Sequence, residues 1–303
     1  MPMKKLLALI FAIALLCSSG CSTMRFSYDH ADMYLRYKIN GYTSFNAQQK
    51  DEIRREVAAY MIWHRKNALP EYISFLQNIF GVIQPNHLLK KEDIALLRGE
   101  YNKLYRKSLE PGIRPAARML SALDSRQTEE LVKALAKKIR TLREEKLFES
   151  DQKNHVMRSE RNIDFVSKLV GRLNGKQEEQ ILELSMKMPF AAKQYIEFRE
   201  DNQKKLIALI NGKAGEEKIA AFLGSWINTP DATRTPQQQQ AIQNYESSMD
   251  EMTVQIYGLL TDRQKERLRK EILKYIVDFQ YLNAEKVTAG TSSSQNERVA
   301  ERR

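Results

Sequence analysis

The sequence predicts an all-α protein, an elongated array of about eight to ten helices, and three observations carry that expectation. Glycine and proline, 12 and 8 in 303 residues, are too sparse for the many turns of a sandwich or barrel. Hydrophobic residues make up 42% of the chain and charged residues 29%, which supplies a core and excludes a disordered polypeptide. From Asn46 to Asn283 the apolar positions recur every three or four residues, with no sustained strand-like alternation.

The chain opens with a segment to be left out of the fold. Lys4 and Lys5 precede an apolar run from Leu6 to Cys17, too short for a membrane span of about 20 residues and matching a secretory signal peptide over 1–20. Its end, Ser18-Ser19-Gly20-Cys21, resembles the bacterial lipobox. That resemblance implies cleavage before Cys21, acylation of its sulfur and a short tether over 21–28. Ser22 in place of aspartate implies sorting to the inner leaflet of the outer membrane, facing the periplasm. Ordinary cleavage leaving a free Cys21 thiol and, behind it, an uncleaved anchor are the alternatives. Cys17 and Cys21 are the only cysteines, so a mature chain has neither a disulfide framework nor a thiolate metal site.

Residues 29–286 read as a single helical domain. Ile53, Val57, Tyr60, Met61 and His64 share one helix face; Leu131, Leu135, Ile139 and Leu142 share another. Further stripes run from Ile242 to Leu259 and from Leu268 to Leu282. Pro70, Pro111, Pro115, Pro189 and Pro236 mark first turns or kinks, because proline lacks the N–H that a helix interior needs. Gly212 to Gly215 is a turn, and Asn228 to Pro236 is the longest internal loop. The Ser- and Thr-rich stretch 287–303 has no apolar face and is expected to be disordered.

One short pattern occurs four times: Phe45-Asn46-Ala47-Gln48-Gln49, Leu123-Asp124-Ser125-Arg126-Gln127, Leu173-Asn174-Gly175-Lys176-Gln177 and Leu260-Thr261-Asp262-Arg263-Gln264. Its physical content is a helix start. Asn46, Asp124, Asn174 and Thr261 are N-caps accepting from free backbone N–H groups, while Gln49, Gln127, Gln177 and Gln264 reach back to the cap's own N–H. The pattern resembles the LTxxQ motif of the Spy/CpxP group of periplasmic helical stress proteins, and that likeness implies a surface for unfolded proteins or a sensor.

A broader resemblance follows from Trp63-His64-Arg65-Lys66-Asn67-Ala68-Leu69-Pro70-Glu71-Tyr72, from Glu160-Arg161 and Leu173 to Gln177, and from Tyr275, Asp278 and Leu282 near the C-terminus. These look like the signatures of an uncharacterised proteobacterial lipoprotein family, domain of unknown function 6279. The likeness implies a helical, lipid-anchored, repeat-capped protein and brings no activity with it. Trp63, His64, Arg65 and Tyr72 are the candidate interaction residues. They read first as a packed helix corner, with His64 and Arg65 donating to the last carbonyls before Pro70, and second as a binding hot spot.

No chemistry announces itself. His30, His64, His87 and His155 show no helical metal spacing, and neither a phosphate loop nor a nucleophile elbow is present. The expectation is therefore no enzyme, no metal and no cofactor. The formal charge of +11 suits anionic lipid or an acidic partner; nucleic acid is excluded by the expected location. The leading functional expectation is a membrane-tethered envelope protein that binds other proteins. An envelope enzyme acting around Trp63-His64-Arg65, and a passive structural lipoprotein, are the competing ones.

Overall fold

The computed structural model describes residues 23–85, 87–147 and 150–300, with side chains through Ala284. The expected signal peptide, Cys21 and Ser22 lie outside these residues, and the expected tail 287–303 lies beyond the last described side chain. Among the described residues the protein is all-α and has no strand. The helices are α1 (Thr23–Asp29), α2 (Ala31–Asn40), α3 (Ala47–Trp63), α4 (Leu69–Val82), α5 (Lys91–Leu109), α6 (Ile113–Ser121), α7 (Ser125–Lys146) and α8 (Asp151–Val170). They continue as α9 (Gly175–Lys187), α10 (Ala192–Asn211), α11 (Glu216–Asn228), α12 (Pro230–Thr233), α13 (Pro236–Leu259) and α14 (Asp262–Ala300). Twelve of these have nine residues or more, slightly above the expected count. Two readings are refined. Of the expected tether 21–28, the described residues 23–28 lie in helix α1, where Arg25 and Tyr28 find partners on distant helices. The loop from Asn228 to Pro236 contains the short helix α12, started by Pro230.

All four expected caps form. Asn46, Asp124 and Asn174 accept from the N–H groups of Gln49, Gln127 and Gln177 at 2.9, 2.7 and 2.9 Å, and each glutamine returns a carbonyl to its cap's N–H. Thr261 and Gln264 exchange the same bonds at 3.3 and 2.9 Å. A fifth box, Thr235 with Gln238, starts α13. The four repeats also join in pairs. Gln177 Nε2 donates to Gln264 Oε1 at 2.8 Å and Gln264 Nε2 to Gln177 Oε1 at 3.1 Å. Their remaining amide hydrogens go to Leu259 O and Arg172 O, each two residues before the opposite cap. Gln49 and Gln127 make the same reciprocal bond at 3.2 and 2.7 Å, with Gln127 also donating to Ser44 O. Two helix starts are thus clasped head to head, twice, at sequence separations of 78 and 87.

The apolar residues leading each repeat pack around the clasps and fix how the chain enters its helices. Phe45 and Leu123 share a cluster with Ile53 and Val57 of α3 and Leu35 and Ile39 of α2. Leu173 and Leu260 share another with Ile181 of α9, Leu268 of α14, and Met252 and Ile256 of α13. A third core is built from Ala117 of α6, Leu131 of α7, Leu206 and Ile210 of α10, and Ile219 and Leu223 of α11. Helix α14 then packs along α4 and also touches α1 and α8, so the end of the chain closes on its beginning. Ile276 and Leu282, from its expected apolar stripe, are buried.

Candidate functional site

The corner from Trp63 to Tyr72 does not break as expected. Helix α3 continues through a π-helical turn, His64–Ala68, directly into α4, and Leu69 N–H reaches back five residues to His64 O. The cause is Pro70: it has no N–H to offer Lys66 O, and the wider turn absorbs the lost bond. Beneath the turn Ala68 and Leu69 are buried, while Lys66 and Asn67 face solvent.

His64 and Arg65 consequently do not donate to the end of their own helix. The His64 Nδ1 atom shares a hydrogen bond with the Tyr28 hydroxyl at 2.8 Å, and the ring lies between Tyr28, Tyr60, Trp63 and Tyr72, with centroids 5.4–6.5 Å away. Arg65 reaches further. Its Nη1 donates to Leu282 O on α14 at 2.9 Å and its Nη2 to Asp29 of α1 at 3.1 Å, with the guanidinium over the Tyr28 ring. The Tyr72 ring meets Phe279 of α14, and its hydroxyl bonds the Ser108 hydroxyl, which donates to Leu104 O of α5.

All four candidate residues are therefore brought together, and α1, α5 and α14 complete the cluster. Sequence reading missed Tyr28, Asp29 and Ser108. The first two fell in the expected tether or beside it, and Ser108 sits in a charged run with no pattern to mark it. Burial sets the electrostatics of the cluster. It lowers the His64 pKa below 6.5, so the ring is neutral at pH 7. Burial also pushes the Tyr60 hydroxyl up to about 12 and the Tyr28 hydroxyl higher still, although Arg65 opposes the latter. A neutral imidazole with one nitrogen engaged by a protonated phenol is a packed, hydrogen-bonded group.

Two further polar centres escaped the sequence reading. Arg98 of α5 makes a forked contact with buried Asp250 at 2.8 and 2.9 Å and a third bond to Glu246 at 2.9 Å, fastening α5 to α13. The buried Arg158 donates to Ser185 O, Met188 O and Pro189 O at 2.7–2.8 Å and to His155 Nδ1, so a guanidinium closes the C-terminal end of α9. Burial lowers the Arg158 pKa. Both are structural fastenings whose partners lie too far away in sequence for spacing to reveal. Among the described residues no group of three or more His, Cys, Asp or Glu could hold a metal ion, and no helix is long and apolar enough to cross a membrane.

These features define a class: an all-helical protein whose helix starts are capped by repeats and clasped in pairs, with an aromatic corner closed by its last helix. Residues 41–228 match the model of a family of unknown function, DUF6279, and the chain belongs to that family. The match contains the Trp63–Tyr72 corner, one complete clasp and half of the other. No curated protein and no solved structure matches the chain.

Proposed function

We propose that this protein is a lipid-anchored envelope protein, held at the periplasmic face of the outer membrane through Cys21, that acts by binding another protein. The observation that carries the binding half is an aromatic surface on α4 and α5. Tyr101 and Tyr105 stack at 6.3 Å with both rings more than half exposed, and Phe75 lies 6.3 Å from Tyr101. Tyrosines on a rigid helix offer a large amphipathic contact area at small entropic cost. The four LTxxQ-like caps support kinship with the Spy/CpxP group and an envelope-stress or chaperone-like role. The lysine pair, the short apolar run and Gly20-Cys21 support the anchor.

The anchor is tested by mass spectrometry of the membrane fraction, which is expected to find diacylglyceryl on Cys21; an unmodified cysteine refutes it. The binding role is tested by suppression of client aggregation and by capture from cross-linked envelopes. Tyr101→Ala with Tyr105→Ala is expected to remove both signals while leaving the melting temperature unchanged. If the intact protein neither protects a client nor enriches a partner, the binding reading fails.

A second reading, an envelope enzyme at Trp63-His64-Arg65, is favoured by one feature: π-helical turns occur disproportionately at functional sites. Turnover of an envelope substrate that disappears in His64→Gln at unchanged stability would establish it.

A further inference from the structure

Helices α1 and α2 form one amphipathic arm. His30 N–H donates to Phe26 O at 3.3 Å and Tyr34 N–H to His30 O at 3.1 Å, so the helical bonding carries across the turn between them. One face of the arm is fastened to the body. Arg25 pairs with Asp278 at 2.7 Å and lies over the Tyr281 ring, Tyr28 bonds His64, and Leu35 and Ile39 join the cluster around Phe45.

The opposite face is apolar and open. Phe26, His30, Met33, Tyr34 and Tyr37 follow one another at helical spacing, and Phe26, Met33, Tyr34 and Tyr37 are 62, 57, 58 and 72% exposed. The His30 ring lies tilted against Phe26 at 4.2 Å, and the Lys38 ammonium sits 5.1 Å from the Tyr34 ring centre. A stripe of aromatic rings, a methionine and a flanking lysine is the composition of a helix lying in a membrane interface, where rings sit at headgroup depth.

The position of Cys21 supplies the occupant. Only Ser22 separates Cys21 from Thr23, the first residue of α1, and two extended residue steps reach at most about 7 Å. The headgroup layer on one side of a bilayer is about 5–8 Å deep. A chain whose Cys21 carries acyl groups in the hydrocarbon therefore holds the start of α1 close beside that layer.

We infer that the face of the arm formed by Phe26, Met33, Tyr34 and Tyr37 docks onto the phospholipid surface in which Cys21 is anchored, and so fixes the orientation of the whole domain on the membrane. This rests on the lipid-anchor reading of Cys21. Because the inner face of the arm is clamped to α14 and to the His64 corner, docking sets which helices look into the periplasm. Lipidation then supplies attachment, and the arm supplies direction.

The test uses the full chain in vesicles of phosphatidylethanolamine and phosphatidylglycerol. A nitroxide at Tyr37→Cys is compared with one at Lys213→Cys, in the turn after α10, by collision with oxygen and with a nickel chelate. The mass of Cys21 is measured on the same preparation, and the measurement is repeated with the Cys21→Ala chain. Position 37 is expected to favour oxygen severalfold over position 213 in the lipidated chain, and Tyr34→Glu with Phe26→Glu should abolish that preference without altering the helical circular dichroism. A diacylated Cys21 with position 37 fully aqueous overturns the docking inference and leaves the anchor standing. An unmodified Cys21 overturns the anchor, and the Cys21→Ala chain then decides the arm: immersion of position 37 supports it and an aqueous signal ends it. Spin–spin broadening between copies without lipid protection would assign the face to a second copy of the chain and equally overturn the inference.

Discussion

His64 shows how one side chain ties stability to acidity. Its folded pKa lies below the ordinary 6.5 because the ring is buried, so between those values the unfolded chain holds the extra proton. The contribution is complete above pH 6.5 and is lost as pH falls through the folded value. The melting temperature is therefore expected to drop between pH 7 and pH 5, and to drop less in His64→Phe, which cannot take up the proton. Equal slopes in both proteins would contradict this. At neutral pH the variant should still be the weaker protein, by about 1–3 kcal/mol, because the buried Tyr28 hydroxyl loses its partner. Glu130 acts in a lower window. The Ser44 N–H and the Thr43 hydroxyl, at 2.6 and 2.8 Å, hold its carboxylate at about 2 against an ordinary 4.5. Its support is present above pH 4.5 and disappears toward pH 2, so Glu130→Gln should flatten that part of the acid-unfolding curve and no other.

At the scale of an element, the clasped helix starts separate what a sequence can reveal from what it cannot. Asn174 and Gln177 lie three residues apart, and their mutual bonding follows from local chemistry alone. The bond from Gln177 to Gln264 spans 87 residues, and nothing in five-residue repeats says which two will meet. Burial marks the difference, since Gln127, Gln177 and Gln264 are buried where an isolated capping glutamine would stay wet. A double-mutant cycle is the appropriate measurement. Gln177→Ala and Gln264→Ala should each cost more than the roughly 1 kcal/mol of a simple cap, because each leaves a buried amide unpaired, and their effects should fall short of additive by about 0.5–3 kcal/mol. Strict additivity would mean two independent caps. The end of α10 gives a prediction of opposite sign. Lys213 has φ 49°, the left-handed conformation that closes the helix, while Ala214 N–H bonds Leu209 O at 3.0 Å. Lys213→Gly removes the side chain's clash with its own backbone, and thermal unfolding should show a gain of about 1 kcal/mol.

At the scale of the whole molecule, helical class, helix starts and apolar faces were legible because each is written within a turn or two of sequence. The identity of the corner residues was legible as well, but their partners were not. Arg65 bonds Leu282 across 217 residues and Arg25 bonds Asp278 across 253, so what reads locally as a helix end is a junction closed by the far terminus. If the corner is structural, Trp63→Ala should lower the melting temperature by an amount corresponding to about 1–3 kcal/mol, and calorimetry should find an unchanged value if it is not. The same junction bears on the order in which the chain can assemble. Synthesis delivers the N-terminal end first, and Arg65, Tyr72 and Gln177 then wait for partners that arrive with α14. Contacts closing so large a loop form late and slowly. The emerging chain is kept unlocked by that delay, and the arrival of α14 becomes the step that commits it to its native state.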